Sequence, residues 1–474
     1  MNPIKPPTMK IAFFTNHGPD AMATLRLIGP TKMLEIEVEL AYQIGKINID
    51  KIKDCNLFIH QRDFCKDFDA YKTMVSYAHD EKIPVIFDLD DLLFELPENH
   101  PDRKSGFFTA ALLPMLQAVF EADAITVSTQ CLADYLSPYN SNIHVIPNFL
   151  NDEIWKIDTQ LNQNKTDSDN VVIGYMGGHS HQPDLAMVLP VLLRVTENYH
   201  GNLRFKFIGI QAPPELESIS ETLWINPESY IYANFADFFK SQKLDIAIAP
   251  ICENLFNTCK SGIKYLEYSA IGVPAIYSAI PPYKQMIQNG FNGILANSED
   301  EWLNALIALI EKPDLRKRLV ENAQKDIRDK WLLSNNLKVF SEFYQQMSNF
   351  EVPTHSPHAG LKHMISMINP QLFETFTIKN NTINEQKHEF LKAIEEQKQQ
   401  FQNTIVEQNE DLQKAIVEKT ESKVQLSKVI QENIDLKNSL NSVEDELITL
   451  HLSKSWRITR PLRKFIGFFK KRLT

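Results

Sequence analysis

Residues 245–278 read DIAIAPICENLFNTCKSGIKYLEYSAIGVPAIYS, and they decide the fold of the surrounding chain. A short apolar run ends at Pro250, a polar loop follows, and a helical segment begins near Lys260. The Gly-Val-Pro triplet at 272–274 ends the helix, because glycine and proline do not continue one. Ala275–Tyr277 is the next apolar run. Since two parallel strands need a crossover between them, this order predicts a parallel βαβ unit.

The same alternation of strands and helices continues on both sides of this unit, across residues 170–347. Its predicted strands are short and rich in Val, Ile and Phe, as expected for strands covered on both faces. They are Val171–Tyr175, Arg204–Ile208, Ile246–Pro250 and Ala275–Tyr277. Helices are predicted near 183–199, 261–270 and 299–311, and a helical segment at 313–347 is predicted to close this domain.

Residues 1–151 show a second alternation of the same kind. The predicted strands are Lys10–Thr15, Leu57–His60, Pro84–Asp88, Ala124–Ser128 and His144–Pro147. Residues 152–169 are polar and lack periodicity, which predicts an interdomain linker. The expected fold class is therefore α/β, with two Rossmann-like domains and a ligand crevice between the carboxyl ends of their sheets.

The overall composition bounds the class of protein. A net charge of −11 argues against a nucleic-acid partner. The five cysteines form neither a CxxC pair nor a cluster with histidines, so we expect reduced thiols and a cytoplasmic location. The N-terminal residues lack the apolar core of a signal peptide, and no apolar run reaches the roughly 18 residues that a membrane span needs.

Residues 383–452 contain neither proline nor glycine, and 348–382 before them are predicted to be an irregular linker. An 11-residue spacing of apolar residues gives way after Ser422 to heptads. One seam position holds Leu426, Asn433, Leu440 and Leu447, and the other holds Val429, Leu436, Val443 and Leu450. We expect a coiled coil that forms a parallel homodimer, because a lone polar seam residue, here Asn433, fixes register and strand number.

Residues 453–474 hold eight Lys and Arg residues, no Asp or Glu, and several aromatic residues that include Trp456. A basic, aromatic segment of this kind predicts an interfacial anchor for the anionic, inner face of the cytoplasmic membrane. Docking of Trp456 and its apolar neighbours on the protein itself is the alternative, and binding of RNA by the same charges is less favoured.

Lys260, Lys264 and Glu267 are spaced to lie on one face of the predicted helix at 261–270. A helix N-terminus reinforced by Lys260 and Ser261 suits a phosphate group. Glu267 would lie about 10 Å further along the axis, where a carboxylate can accept from both ribose hydroxyls of the same nucleotide. The arrangement suits a nucleoside diphosphate-sugar, and a solvated Lys/Glu face with i,i+3 pairing is the alternative.

The segment FNTCKSGIKYLEYSAIGVPAIYS (256–278) resembles the donor-binding signature of family 4 (group 1) glycosyltransferases, close to their bacterial polysaccharide and lipopolysaccharide branch. VIFDLDDLLFELP, ADAITVSTQCLADYL, HVIPNF and VVIGYMGGHSHQPDL also resemble the family, in its order, so the resemblance covers about residues 9–347. The SKSWRITRPLR core of the C-terminal tail is similar to a tail found on many bacterial glycan-assembly glycosyltransferases.

The resemblance implies a GT-B fold that binds the donor mainly through the second domain and the acceptor through the first. It also implies metal-independent transfer with retention of anomeric configuration, so no cofactor is expected. Glu267 matches the second acidic residue of the family's paired-glutamate motif, the ribose binder. The first glutamate would fall at Cys259, so its contact with the donor sugar is missing or is made by another residue such as Asn257 or Glu253.

The family's basic pair after the first strand of the second domain is also absent, because that loop reads GGHSH over residues 177–181. We therefore expect Lys260 and Lys264 to bind the diphosphate, with Lys264 as the catalytic cation. The backbone of Gly177 and Gly178 is expected to approach the same group, as glycine allows. His179 is placed on the donor side with them.

Asp88-Leu89-Asp90-Asp91 follows a predicted strand of the first domain. We expect Asp90 and Asp91 to be catalytic residues that line the crevice and orient an acceptor hydroxyl. Carboxylates of a DxD motif can also hold a divalent metal, and a strand-end turn that caps the next helix is the third interpretation.

Three further residues are acceptor-side candidates. Arg62 is either an acceptor contact or a salt-bridged surface arginine, and Arg26 is expected to pair with a phosphate of the acceptor. His100 follows the DLDD segment in a loop, where it is either an acceptor contact or an ordinary loop histidine.

These observations predict a retaining transferase that moves a hexose-type sugar from a nucleotide-sugar to a growing surface glycan. The acceptor is expected to be a lipid-linked glycan of lipopolysaccharide O-antigen or capsule type. A catalytically inactive GT-B module that scaffolds a glycan-assembly complex through its coiled coil is the main alternative, which Cys259 keeps open. The second alternative is a membrane-tethering coiled coil whose globular domains have no function in catalysis.

Overall fold

The computed structural model describes residues 9–16, 18, 20–41, 48–157, 170–199, 201–223, 231–353, 392, 395–408 and 423–452. The chain divides into two compact units, Met1–Ser366 and Met367–Thr474. The first unit contains two six-stranded sheets, and the second is helical wherever it is described.

The first sheet has the order β2-β1-β3-β4-β5-β6 and is parallel throughout. Its strands are β1 Lys10–Phe14, β2 Glu37–Ala41, β3 Leu57–Gln61, β4 Val85–Leu89, β5 Ala124–Val127 and β6 Ile143–Val145. Its helices are α1 Ala21–Ala23, α2 Gly29–Met33, α3 Phe68–Asp80, α4 Pro101–Ser105, α5 Leu112–Glu121 and α6 Gln130–Leu136. A π-helical turn, Thr24–Ile28, joins α1 to α2, and 3₁₀ turns occupy Ile49–Lys51, Leu93–Glu95 and Thr109–Ala111.

The second sheet has the order β12-β11-β10-β7-β8-β9 and is also parallel. Its strands are β7 Val171–Met176, β8 Leu203–Ile208, β9 Ser220–Leu223, β10 Ile246–Ala249, β11 Ala275–Ser278 and β12 Ile294–Ala296. Its helices are α7 Gln182–Asn198, α8 Tyr232–Ser241, α9 Leu255–Thr258, α10 Ile263–Ala270, α11 Pro281–Lys284, α12 Glu299–Glu311 and α13 Pro313–Asp326. Further turns are the 3₁₀ segments His179–His181 and Pro214–Ile219 and the π-helical Ile327–Trp331.

The two sheets confirm the predicted fold class, and each of the nine predicted strands overlaps a strand of the structure. The sequence-based prediction missed β2, β9 and β12, which all lie at sheet edges. Side chains of β2 and β9 are exposed or half-buried, so these strands lack the continuous apolar run of a central parallel strand.

The chain returns to the first domain near its end. Helix α14, Leu333–Ser348, packs its apolar face on the first sheet, where Phe340 and Phe343 are buried with Phe13 and Ile59. The prediction that residues 313–347 close the second domain therefore holds for α13 and is wrong for α14. The cause is that helical periodicity reveals an apolar face but does not reveal which sheet covers it.

The predicted linker at 152–169 is only partly separate from the domains. Trp155 is buried against Tyr232, Phe235 and Phe239 of the second domain, and residues 158–169 lie outside the described residues. Most of the predicted linker at 348–382 lies outside them as well.

The second unit contains a helix at 395–408 and α15, Lys423–Leu452. The predicted heptad face of α15 is its less exposed face wherever side chains are described, whereas Ile430 and Ile434 on other faces are 42 % and 46 % exposed. Lys398 Nζ lies 3.2 Å from Glu444 Oε1 and joins the two helices of one chain. The homodimer remains a prediction.

The predicted anchor at 453–474 lies outside the described part of the chain. Among the described residues, we find no helix that combines the length and the apolar character required for crossing a membrane.

Candidate functional site

Several of the polar residues that the sequence singled out line the crevice between the two Rossmann-like domains. On the first domain, Asp90 and Asp91 directly follow β4. On the second, a loop between β10 and α10 carries Lys260. Lys260 Nζ lies 3.5 Å from Asp91 Oδ1 and 4.2 Å from the centre of the Phe256 ring. This contact brings the predicted donor side and the predicted acceptor side together.

Arg62 holds the two carboxylates of the first domain. Its Nη1 atom lies 3.0 Å from Asp90 Oδ1 and 3.7 Å from Asp91 Oδ2. Arg62 directly follows β3 and has a φ of 52°, a left-handed conformation that is costly for a residue with a side chain and common at functional sites. Arg62 is salt-bridged, as one of the two interpretations predicted, but its side chain is only 18 % exposed and faces the crevice carboxylates rather than the open surface. A contact with the acceptor remains a prediction.

The carboxylates of Asp90 and Asp91 differ in pKa. Burial raises the pKa of Asp90 to about 6, although Arg62 opposes this effect. For Asp91, burial also acts upward, but Lys260 and Arg62 outweigh it and lower its pKa. Asp91 is therefore an anion at neutral pH, whereas Asp90 can take up a proton in mild acid.

Helix α10 positions the donor-side residues. Glu267 is buried and accepts a hydrogen bond from Tyr232 Oη at 2.8 Å. Burial raises the pKa of Glu267 to about 7, against the opposing effects of Tyr232 and Lys264. Burial and then the Lys260 ammonium lower the pKa of Lys264, which forms no hydrogen bond or ion pair with any residue that the structure describes.

The predicted start of this helix, near residues 260–261, precedes the observed start by two to three residues. Gly262 is the N-cap and α10 begins at Ile263, so Lys260 and Ser261 precede the first turn. A Cβ atom on Gly262 would lie 2.7 Å from the carbonyl oxygen of Pro282, so glycine permits the close approach of this loop to α11. Ser261 Oγ accepts a hydrogen bond from Asn148 Nδ2 at 2.9 Å and so links the loop to the first domain.

A histidine-carboxylate pair lies at the N-terminus of α7. His181 Nδ1 lies 2.7 Å from Asp184 Oδ2, and Asp184 Oδ1 accepts from the backbone N–H of Cys252 at 2.7 Å. Burial and then Lys264 lower the pKa of His181 to about 4, so the ring is neutral at pH 7. Because an ionised Asp184 requires the ring proton on Nδ1, Nε2 is left as an acceptor.

The sequence-based interpretation missed this pair and assigned His179 to the donor side instead. The only available signal was the i,i+3 spacing of His181 and Asp184, which is equally typical of an N-terminal helix turn. The side chain of His179 lies outside the described residues.

Asn257 and His100 line one cavity with His181 and Lys260, of about 60 Å³. Asn257 Nδ2 donates to the carbonyl oxygen of Cys252 at 2.8 Å. The His100 ring meets the Phe256 ring edge-on with 5.4 Å between centres. His100 also caps α4, accepting from the backbone N–H of Asp102, so it is a loop residue that also lines this cavity, and its contact with the acceptor remains a prediction.

Arg26 does not reach the crevice. Its side chain is 2 % exposed, and its Nη2 atom lies 2.8 Å from Asp88 Oδ1. It also donates to Asn148 Oδ1 and to the carbonyl oxygen of Ile146. The prediction that Arg26 pairs with an acceptor phosphate is therefore wrong, because its donors are committed inside the first domain.

Asp88 is a structural carboxylate. Besides Arg26, it accepts hydrogen bonds from Gln61 Nε2 at 2.9 Å and Thr126 Oγ1 at 2.7 Å. Asp88 thus pairs with Arg26, whereas Asp90 and Asp91 share Arg62 and Asp91 also pairs with Lys260. Among the residues that the structure describes, no group of three or more His, Cys, Asp or Glu side chains is arranged to hold a metal ion.

The two glycines after β7 have different surroundings. The backbone N–H of Gly177 donates to the carbonyl oxygen of Ile208, and a Cβ atom there would lie 2.7 Å from Tyr175 Oη. Gly177 is therefore required by packing, and its N–H is not free for a diphosphate. A Cβ atom on Gly178 would meet nothing within 4 Å, so its backbone faces open space.

Cys259, at the position of the missing glutamate, is fully buried and packs with the apolar core of the first domain. Its side chain does not line the cavity of about 60 Å³, whereas Asn257 does. Glu253, the other proposed replacement, is exposed.

Comparison with known proteins bears on the fold. Residues 156–326 match the family model described as "Glycosyl transferases group 1". Sucrose-phosphate synthase from Thermosynechococcus elongatus is 11 % identical and superposes with a TM-score of 0.52 over 72 % of this chain and 99 % of that one. The Anabaena protein Alr3699/HepE in complex with UDP and glucose is 15 % identical and superposes with a TM-score of 0.50 over 72 % of this chain and 100 % of that one. No curated protein matches the chain. The fold is GT-B.

Proposed function

We propose that this chain, a glycosyltransferase whose residues 156–326 form a group 1 domain, transfers a sugar with retention from a nucleoside diphosphate-sugar to a growing surface glycan. The lipopolysaccharide O-antigen or capsule type of acceptor, carried on a lipid, is part of this proposal. The observation that carries it is the cluster of two lysines, a carboxylate and a neutral histidine on the second domain, opposite two carboxylates of the first.

The donor-side chemistry follows from charge. Lys264 forms no hydrogen bond or ion pair with the described residues, although the carboxylates of Glu267 and Asp184 act on it from further away, so a diphosphate would supply it with a direct anionic partner. Charge on the diphosphate grows as the sugar departs, and a cation already in place stabilises that charge without rearrangement. Glu267, on the next turn of α10, is then at the ribose, with Tyr232 as the donor that orients it.

The acceptor-side chemistry uses Asp90 and Asp91. Both are held by Arg62 within a fixed geometry, as positioning of an acceptor hydroxyl requires. Each carboxylate lies beside a cation of the chain, so we propose that transfer needs no metal and no cofactor. Chelation with EDTA should therefore leave turnover unchanged.

The test is a screen of UDP-, GDP- and dTDP-sugars by calorimetry, followed by release of nucleoside diphosphate in the presence of a lipid-linked glycan acceptor. NMR of the product gives the anomeric configuration. Binding without any sugar transfer to any glycan acceptor would contradict the proposal and favour the scaffolding alternative, and an inverted product would contradict retention.

Membrane attachment through residues 453–474 is a second part of the proposal, because each basic residue near an anionic surface contributes about 1 kcal/mol. Truncation after Leu452 should abolish co-sedimentation with vesicles that contain anionic lipid. Equal binding of the full chain to neutral vesicles at high salt would contradict an electrostatic cause.

A parallel homodimer through 383–452 is the third part. Two tails at one end of a parallel dimer would bind a membrane with avidity. The full chain should sediment as a dimer, and Asn433→Leu should raise the melting temperature of the coil while admitting larger oligomers. A monomeric full chain, or two chains cross-linked in antiparallel order, would contradict this arrangement.

A further inference from the structure

Two cysteines face each other across the boundary between the Rossmann-like domains. Cys131 lies in the first turn of α6, and Cys259 directly follows α9. Their Sγ atoms are 2.7 Å apart, about 0.7 Å more than the bond of a disulfide. The five cysteines of the chain are all free thiols.

The position of the two sulfurs is fixed by their surroundings. Thr129, the N-cap of α6, donates from Oγ1 to the carbonyl oxygen of Cys259 at 2.8 Å. Cys259 itself is fully buried in the apolar core of the first domain, although it belongs to the second. The loop of Cys259 is thus already docked on α6, and closing a bond needs little backbone movement.

We propose that Cys131 and Cys259 form a reversible disulfide that fixes the two domains to each other, which makes this pair a redox modification site. The oxidant is a small disulfide such as oxidised glutathione. The Cys131 thiolate attacks one glutathione sulfur and expels the other as a thiolate, which leaves a mixed disulfide on Cys131. Cys259 loses its proton to the expelled thiolate, attacks the Cys131 sulfur and releases the second glutathione.

The order of these steps follows from exposure. Cys131 is half-buried and can meet a small oxidant, whereas Cys259 is fully buried and can only meet Cys131. Burial also raises the pKa of the Cys259 thiol, so Cys259 is not the first nucleophile. One disulfide is reduced to two thiols while two protein thiols are oxidised, so the exchange balances.

Such a bond would act on the donor site through the chain. Cys259 directly precedes Lys260, and Asn257 lies two residues before Cys259. Oxidation would therefore hold Lys260 beside Asp91 and oppose any opening of the crevice. We expect slower turnover in the oxidised protein, and this consequence rests on the proposed function, whereas formation of the bond does not.

The full chain is equilibrated in glutathione buffers of increasing oxidised fraction, free thiols are alkylated, and cross-linked peptides are identified by mass spectrometry. We expect a Cys131–Cys259 cross-link that dithiothreitol removes and that Cys131→Ser abolishes. Cys252→Ser is the matched control and should keep it, because Cys252 hydrogen-bonds the carbonyl oxygen of Pro183 instead. Absence of the cross-link at every ratio would overturn the proposal.

Melting temperature provides a readout that does not depend on activity. The bond would close a loop between positions 128 residues apart, so oxidation should raise Tm by roughly 5–10 °C in the wild type and leave Cys131→Ser unchanged. A cross-link that forms without any rise in Tm would overturn the claim that it fixes the domains, whatever the outcome of the donor screen.

Discussion

Lys260 and Asp91 form an ion pair across the crevice, with 3.5 Å between Nζ and Oδ1 and both side chains at most 20 % exposed. The pair joins a predicted diphosphate ligand to a predicted acceptor contact. In this state Asp91 is paired with the lysine that we propose as a ligand of the donor diphosphate. If the proposal is correct, donor binding exchanges the Asp91 carboxylate for the diphosphate at Lys260.

Asp91→Asn should tighten binding of nucleoside diphosphate, because the competing carboxylate is removed. A partly exposed ion pair is worth at most about 1 kcal/mol, which corresponds to about a fivefold lower Kd. Calorimetry with UDP and GDP measures this. In a Lys260→Gln background the same substitution should have no effect, and an equal gain there would show that Lys260 is not the shared partner.

Glu267→Ala should weaken nucleotide-sugar binding by about 1.5–3 kcal/mol, as expected for loss of hydrogen bonds to a charged group. Because the pKa of Glu267 is about 7, binding should also weaken as the pH falls below 7, where the carboxylate gains a proton. Glu267→Gln should remove this pH dependence. Tyr232→Phe is the matched control: it removes the orienting hydroxyl and should cost less than Glu267→Ala. Unchanged affinity in Glu267→Ala would contradict its role at the ribose.

His181→Gln should lower kcat/KM about fivefold if Nε2 accepts a hydrogen bond from a sugar hydroxyl, since one such bond is worth about 1 kcal/mol. Asp184→Asn should have a similar effect, because it removes the carboxylate that sets the tautomer. Steady-state kinetics of both variants and of the neighbouring Ser180→Ala, expected to resemble wild type, give the comparison. A matching loss in Ser180→Ala would assign the effect to the loop as a whole.

Arg26→Met should destabilise the fold by about 3–5 kcal/mol, because it leaves the Asp88 carboxylate buried without its cation. The double variant Arg26→Met/Asp88→Asn should recover part of this loss. Urea unfolding measures both. A variant that folds with wild-type stability but loses activity would instead restore Arg26 as an acceptor contact.

His60 should make stability depend on pH below 6.5. Burial lowers its pKa to about 4, so between pH 4 and 6.5 the unfolded chain binds a proton that the folded chain does not. The stabilisation by the neutral ring is complete above pH 6.5 and declines as the pH falls, by about 2 kcal/mol at pH 5. Chemical denaturation of wild type and His60→Leu at pH 5 and 7.5 tests this. An equal pH dependence in the two proteins would exclude His60 as the cause.

The sequence predicted the central strands and helix α10, because buried parallel strands and amphipathic helices leave local patterns. Lys264 and Glu267 lie where their spacing placed them. The start of α10 was missed because Lys260 and Ser261 are compatible with a first helical turn. Only the packing of Gly262 against Pro282 determines the position of the N-cap.

Contacts between distant segments could not be predicted in the same way. The role of Arg26 depends on Asp88, 62 positions later, and nothing near Arg26 in the sequence marks its partner. The two alternatives for Arg62 were left open for the same reason. Cys259 could be recognised as a departure from the family motif, but its contact with Cys131 required the fold.

The return of α14 to the first sheet makes that domain discontinuous in the gene. Leu333 donates its backbone N–H to Leu150, and Leu150 donates to Trp331, so the outgoing and returning chains are adjacent at one point. A recombinant exchange of acceptor domains between relatives would therefore have to replace both 1–150 and 333–348. A chimera joined at a single crossover near residue 151 would combine the first sheet of one parent with the α14 of the other parent, which evolved to cover a different sheet. Such a chimera should be insoluble.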